Sequence, residues 1–320
     1  MSRIAILSNT LSHLNRASMV KMREVTKEQP DVIHRELHEM AEFPTIFQEF
    51  AAAEPELLVI NGGDGTVDAA ITYIVNAQPF KELPAIALLP GGRTNMTAAD
   101  FGARHRADKL LADLIEKVRT GQLNGVIENR AVLRVDWRPD EPPLYGFFFG
   151  AAAIVSGIEF CRRRIFPLGL PNFLSHFLTV FLLLGMTIRP GGKAGSAMNA
   201  APLDFTINGG PVISGTYFML TVTTLNRLVL GLSPFARNDN GTLKLTTIEH
   251  SVCGILRAAA AIVRGKAGRV PVAGMTCENG DEVRLELDGP FTLDGEFYDP
   301  APGRPVVVST SDTLSFVRFE

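Results

Sequence analysis

The chain has 320 residues, 46% of them apolar and 20% charged, with a formal net charge of −3. That length implies about two domains, the apolar share argues against a disordered protein, and the slight acidity argues against a nucleic-acid partner. Three widely spaced cysteines, Cys161, Cys253 and Cys277, point to a reducing compartment and to no zinc site.

Arg3–Leu7 reads as a buried first strand close to the N-terminus, without the long apolar region of a signal peptide. The loop Ser8–Asn15 leads to a helix near Arg16–Gln29, then a second strand, Asp31–Leu37, and a second helix, Phe43–Ala53. Leu57–Ile60 is an apolar run of strand length. Asn61–Thr66 is a turn with glycines at 62, 63 and 65, and Val67–Asn76 opens a helix. Ala85–Leu89 is another strand, Pro90–Asn95 a second glycine loop, and Ala107–Arg119 a helix with Leu110, Leu111, Leu114, Ile115 and Val118 on one stripe. Strands alternating with helices predict a parallel sheet that binds ligands beyond the strands' carboxyl ends. Residues 1–124 are therefore expected to form an α/β nucleotide-binding domain.

The rhythm changes near Asn124. Val126–Trp137, Leu144–Phe149, Leu203–Ile207, Thr216–Thr223, Leu243–Ile248, Asp281–Leu287 and Val306–Ser309 are short β-rich runs separated by Gly, Pro, Asn and Asp. They predict an antiparallel sandwich domain over residues 125–320. Residues 161–193 interrupt it with the most apolar stretch of the chain. Phe173–Ile188, as a helix, would reach about 24 Å at 1.5 Å per residue, short of the roughly 20 residues a bilayer core needs. Phe173, Phe177, Val180, Phe181, Leu184 and Ile188 keep helical spacing, with Arg162, Arg163, Arg164, Arg189 and Lys193 on the flanks. Such a segment is either a core helix beside solvated charges or a surface that docks on an anionic membrane.

The chemistry gathers on strand, glycine loop and helix at residues 57–76. Glycines let bare backbone N–H groups approach an anion at the positive end of the following helix, so phosphate is the natural guest. Asp64 would repel phosphate unless a divalent cation bridges the two or the carboxylate accepts a proton, and both needs belong to phosphoryl transfer. The alternative is a tight turn in which Asp64 or Thr66 caps the helix. Asp294, in Leu293-Asp294-Gly295-Glu296, taken alone reads as a turn.

Gly62-Gly63-Asp64-Gly65-Thr66 after an apolar strand resembles the signature of the diacylglycerol kinase catalytic-domain family, which includes bacterial lipid kinases, sphingosine kinases and ceramide kinases. NAD kinases and the wider phosphofructokinase-like group share the pentapeptide. Asn9 and Ser12 match the family's first loop, which here lacks its proline and glycine. Asp68 and Ala69 stand where Asn-Glu is usual, and Asp68 either serves in part for those groups or simply suits the helix dipole. Gly92 and Asn95 match the family's second glycine loop, with Arg93 in place of threonine. Asp294 and Glu296 match its Asp-Gly-Glu motif, and Asp239 matches one acid of a turn that holds a structural magnesium in some members, where Asn240 replaces the second.

The resemblance implies an ATP-dependent lipid kinase using Mg²⁺ or another divalent cation. Gly62, Gly63, Gly65, Thr66, Gly92, Arg93, Asn95, Asn9, Ser12 and Glu296 would bind nucleotide. Asp64 would position metal or nucleotide, Asp294 would be the base, and Asp239 would be a further metal ligand. The acceptor would be a two-tailed lipid, ceramide or diacylglycerol, reached from the cytoplasm by peripheral contact of residues 161–193 with the inner face of the membrane; a homodimer stays open. The rivals are a soluble NAD kinase-like enzyme and a non-catalytic lipid or nucleotide binder.

Overall fold

Apolar runs with no interruption are found where strands are covered on both faces, and Ile4–Leu7, Leu57–Ile60 and Ile86–Leu89 are buried along their whole length. The computed structural model describes residues 3–12, 15–165, 167, 200–236 and 241–319. Its first segments are β1 (Ile4–Asn9), α1 (Asn15–Thr26), β2 (Val32–Leu37), α2 (Phe43–Ala52), β3 (Leu57–Gly62), α3 (Asp64–Ala77), β4 (Ala85–Pro90), α4 (Met96–Asp100) and α5 (Ala107–Arg119). The four strands are parallel in the order β2-β1-β3-β4, as the alternation of strands and helices predicts.

The chain continues through β5 (Ile127–Asp136), β6 (Leu144–Gly146), β7 (Phe148–Ala152), α6 (Ala153–Phe160), β8 (Ala201–Ile207), β9 (Ile213–Thr223), β10 (Leu243–Glu249), α7 (Val252–Val263), β11 (Met275–Gly280), β12 (Glu282–Glu286), β13 (Phe291–Leu293), β14 (Glu296–Tyr298) and β15 (Val306–Val317). Contacts divide it into two units, residues 1–132 with 312–320 and residues 133–311. The second unit is antiparallel and strand-rich: β9 pairs with β7, β8 and β10, β10 also pairs with β11, and β13 pairs with β7 and β14. Alternate residues of these strands, among them Phe149, Leu220, Val222, Leu245, Val283, Phe291 and Val306, share one core.

Three outcomes differ from the sequence reading. The last strand does not stop at Ser309. It runs to Val317, and its end pairs with β4 through Phe316 and Ile86, so the C-terminus belongs to the first unit. Phe316 stacks on Phe101 at 4.7 Å, and Phe319 N donates to Phe101 O at 2.8 Å. Helix α3 starts at Asp64 instead of Val67. Helices α6 and α7 and strands β11, β13 and β14 have no counterpart in that reading, although the Asp294-Gly295 turn does.

Helix α7 buries Gly254, Ile255, Ala258 and Ala261. Its N-cap is Ser251, whose Oγ accepts from Gly254 N at 3.0 Å. Ser251→Ala is expected to cost about 1 kcal/mol, read as a shift of the urea midpoint at unchanged slope. Residues 168–199 lie outside the described residues, so Phe173–Ile188 is not placed. Among the described residues no helix is long and apolar enough to cross a membrane.

Candidate active site

In the order β2-β1-β3-β4, the helix after β1 leads to one side and the helix after β3 to the other. The crevice beyond the carboxyl ends of β1 and β3 is the place such sheets offer a ligand. Ser8 pairs with Asn61 and Gly62 with Pro90, so the loops after β1, β3 and β4 leave the sheet at one level. Side chains and backbone then lock them together. Asn9 Nδ2 donates to Thr66 Oγ1 at 2.8 Å, while Asn9 Oδ1 accepts from Leu11 N at 2.9 Å. Gly91 N donates to Gly62 O at 2.9 Å.

Two of the glycines answer to this packing. A Cβ on Gly92 would lie 2.4 Å from Gly63 Cα, and one on Gly62 would lie 2.6 Å from Thr66 Cβ. Asn95 adopts a left-handed backbone at φ 51°. Its amide closes its own loop, Oδ1 accepting from Gly92 N at 2.7 Å and Nδ2 donating to Gly92 O at 2.8 Å. Arg93 and Ser12 are half-buried on these loops. Gly63 is the N-cap of α3 and no side chain caps that end, so its first-turn N–H groups suit an anion.

Asp64 does not cap its own helix. Its carboxylate reaches across to α4, Oδ1 accepting from Thr97 N at 3.0 Å and Oδ2 from Met96 N at 3.2 Å. Burial pushes the Asp64 carboxyl above the usual carboxylate range, outweighing those N–H donors, which pull it down. A raised carboxyl gives its stabilisation in full below the unfolded value, about 4, and loses it as pH rises through the folded value. The wild-type protein is therefore expected to lose stability relative to Asp64→Asn as pH rises from about 4; urea midpoints that stay parallel across pH would contradict this.

Among the described residues no three His, Cys, Asp or Glu side chains gather as a metal cage. A single carboxylate oxygen such as Asp64 offers suits a hard cation that takes its remaining ligands from phosphate and water. Asp68, one turn further along α3, is buried, so it does not sit solvated at the helix end. Asp239 lies outside the described residues.

A polar chain with no sequence signal joins buried Ser8 and Asn61 to half-buried His34 across β1, β2 and β3. Asn61 Nδ2 donates to Ser8 Oγ at 3.1 Å, and Ser8 Oγ lies 2.9 Å from His34 Nε2. Burial pushes the His34 imidazole below its usual range. A cavity of about 630 Å³ opens at the amino ends of β3 and β4, lined by Glu54, Glu56, Lys81 and Pro84 among others. It holds none of the candidate residues.

In the second unit, Asp294-Gly295 is the two-residue turn between β13 and β14, with positive φ at both positions, 47° and 96°, as Asp-Gly hairpins adopt. Asp294 is buried. Oδ2 accepts from Phe147 N at 2.7 Å and Oδ1 from Phe148 N at 3.0 Å, and Asp294 N donates back to Phe148 O at 2.9 Å. The carboxylate thus fixes the hairpin to the β6–β7 connection. Arg162 Nη2 donates to Gly295 O at 2.8 Å and to Glu296 Oε1 at 3.1 Å, and Arg163 pairs with Glu159. Two of the three arginines read as a solvated or membrane-facing run are therefore engaged within the protein.

Residues 5–124 match the family model described as the diacylglycerol kinase catalytic domain. A crystal structure of a candidate diacylglycerol kinase from Bacillus anthracis str. Sterne is similar over 99% of this chain and 97% of that one, at 16% identity and a TM-score of 0.70. A further crystal structure, of a diacylglycerol kinase from the same organism, matches with the same coverage at 15% identity and a TM-score of 0.64. Yeast NADH kinase complexed with NADH matches over 100% of this chain and 84% of that one, at 11% identity and a TM-score of 0.52. These likenesses establish the fold. No curated protein matches the chain.

Proposed function

We propose that this kinase, whose residues 5–124 match the diacylglycerol kinase catalytic-domain model, transfers the γ-phosphate of ATP to the hydroxyl of a two-tailed lipid, diacylglycerol or ceramide. The observation that carries the nucleotide side is the convergence of three loops beyond β1, β3 and β4, held by the Asn9–Thr66 and Gly91–Gly62 bonds with an uncapped helix end among them. Gly63 and Gly65 present backbone N–H groups, Thr66 N is engaged with Gly63 O at 3.0 Å, and Gly62 and Gly92 permit the approach of loop to loop. Arg93 brings a fixed positive charge. Asn9, Ser12 and Asn95 shape the loops more than they reach the nucleotide, since the Asn9 and Asn95 amides are engaged within them.

Magnesium, when bound, would neutralise charge on the transferring phosphate. Asp64 would hold it from one side, at the cost of keeping a carboxylate where burial disfavours its charge. A hydroxyl is a poor nucleophile until its proton is accepted, and Asp294 is the acid assigned that task, kept in one orientation by Phe147 N and Phe148 N. Glu296, paired with Arg162, supports the turn beside it.

Thin-layer mobility of the product formed from each lipid separately identifies the acceptor. Chelation of divalent metal is expected to abolish transfer, and added Mg²⁺ to restore it. Activity that survives chelation would remove the metal role of Asp64, and an absence of product from both lipids would reject a two-tailed acceptor.

A further inference from the structure

Helix α7 is apolar on both sides. Its inner side is packed on Ile248, Met275 and their neighbours. Val252, Leu256 and Val263 lie on its outer side at spacings of four and seven, one face of a helix, and are 47%, 41% and 77% exposed. Val270, 49% exposed, follows in the next turn. Single exposed apolar residues need no explanation, but a contiguous set does.

The charge around this face has one sign. Between Glu249 and Glu278 the sequence holds no acidic residue, whereas Arg257, Arg264, Lys266 and Arg269 are all exposed. None of the four pairs with a carboxylate among the described residues, while Arg3, Arg23, Arg106 and Arg119 each do. Local carboxylates neutralise cations over much of this chain of net charge −3, and here they are missing.

We infer that the outer face of α7, with the basic turn that follows it, is a docking surface for an anionic lipid bilayer. Exposed Val and Leu side chains enter the acyl boundary and the four cations meet the headgroups. The surface rests in part on the lipid-kinase reading, because a two-tailed acceptor resides in a bilayer, but its chemistry stands on the residues themselves.

The test is cosedimentation with vesicles rich in phosphatidylglycerol, against vesicles of phosphatidylcholine alone. The wild-type protein should bind the first and release in high salt. Arg257→Gln with Arg264→Gln should weaken partition roughly 30-fold. Leu256→Ser with Val263→Ser should weaken it as well, and both double variants should melt as the wild type does. Wild-type protein that ignores anionic vesicles, or variants that bind as it does, would overturn the proposal. So would a dimer that Leu256→Ser with Val263→Ser dissociates while vesicle binding survives, which would give the face to a second copy of the chain. Phosphorylation of a lipid dispersed in neutral detergent should be the same in wild type and variants. Failure of that phosphorylation with vesicle binding intact rejects the kinase reading and leaves the docking surface.

Discussion

Asp294→Asn is expected to lower turnover about 10²–10⁴-fold, the usual contribution of a general base, with nucleotide affinity unchanged. The substitution is not silent structurally. An amide nitrogen replaces one of the two oxygens that accept from Phe147 N and Phe148 N, so a buried N–H loses its acceptor, at about 1–3 kcal/mol. Melting temperature must therefore be measured beside activity, and Gly295→Ala supplies the comparison. It strains the same turn through its φ of 96°, by about 1–2 kcal/mol, but leaves the carboxylate in place. A large loss in Asp294→Asn and a small one in Gly295→Ala assigns proton transfer to the carboxylate. Equal losses would reduce Asp294 to the hairpin's anchor.

Asp64→Asn is expected to lose roughly 10²-fold or more in turnover, as removal of one preorganised electrostatic group does, and to need more divalent cation for what activity remains. The fold should persist. Asparagine keeps one acceptor for the α4 N–H groups and discards a charge that burial disfavours. A carboxylate held against its desolvation cost beside a phosphate-binding turn is a functional candidate on physical grounds. Turnover at the wild-type rate would leave Asp64 as a tie between α3 and α4 and nothing more.

The parallel half of the fold was legible because its signals are local. Uninterrupted apolar runs mark strands buried on both faces, and glycines mark turns where two loops approach each other, as the Gly63–Gly92 contact shows. The partners of Asp64 were not legible, since Met96 and Thr97 lie more than thirty positions away and only the assembled sheet brings them close. Asp294 was legible as a turn, but its clamp on Phe147 and Phe148 is a contact between distant strands. Helix α7 is not legible in the sequence for a physical reason: with Val252, Leu256 and Val263 exposed it lacks the polar face by which an amphipathic helix announces itself. The C-terminal strand was cut short at Ser309 because Ser309-Thr310-Ser311-Asp312-Thr313 interrupts its apolar run where the chain passes from the second unit to the first.

The central claim is that the chain phosphorylates a lipid hydroxyl, and phase partition tests it most directly. Label from γ-labelled ATP is followed in one reaction containing magnesium, diacylglycerol, ceramide and NAD. The expected result is label in the organic phase, dependent on Asp64 and Asp294. Label confined to the aqueous phase as phosphorylated NAD, or no transfer to any of the three acceptors, would contradict it.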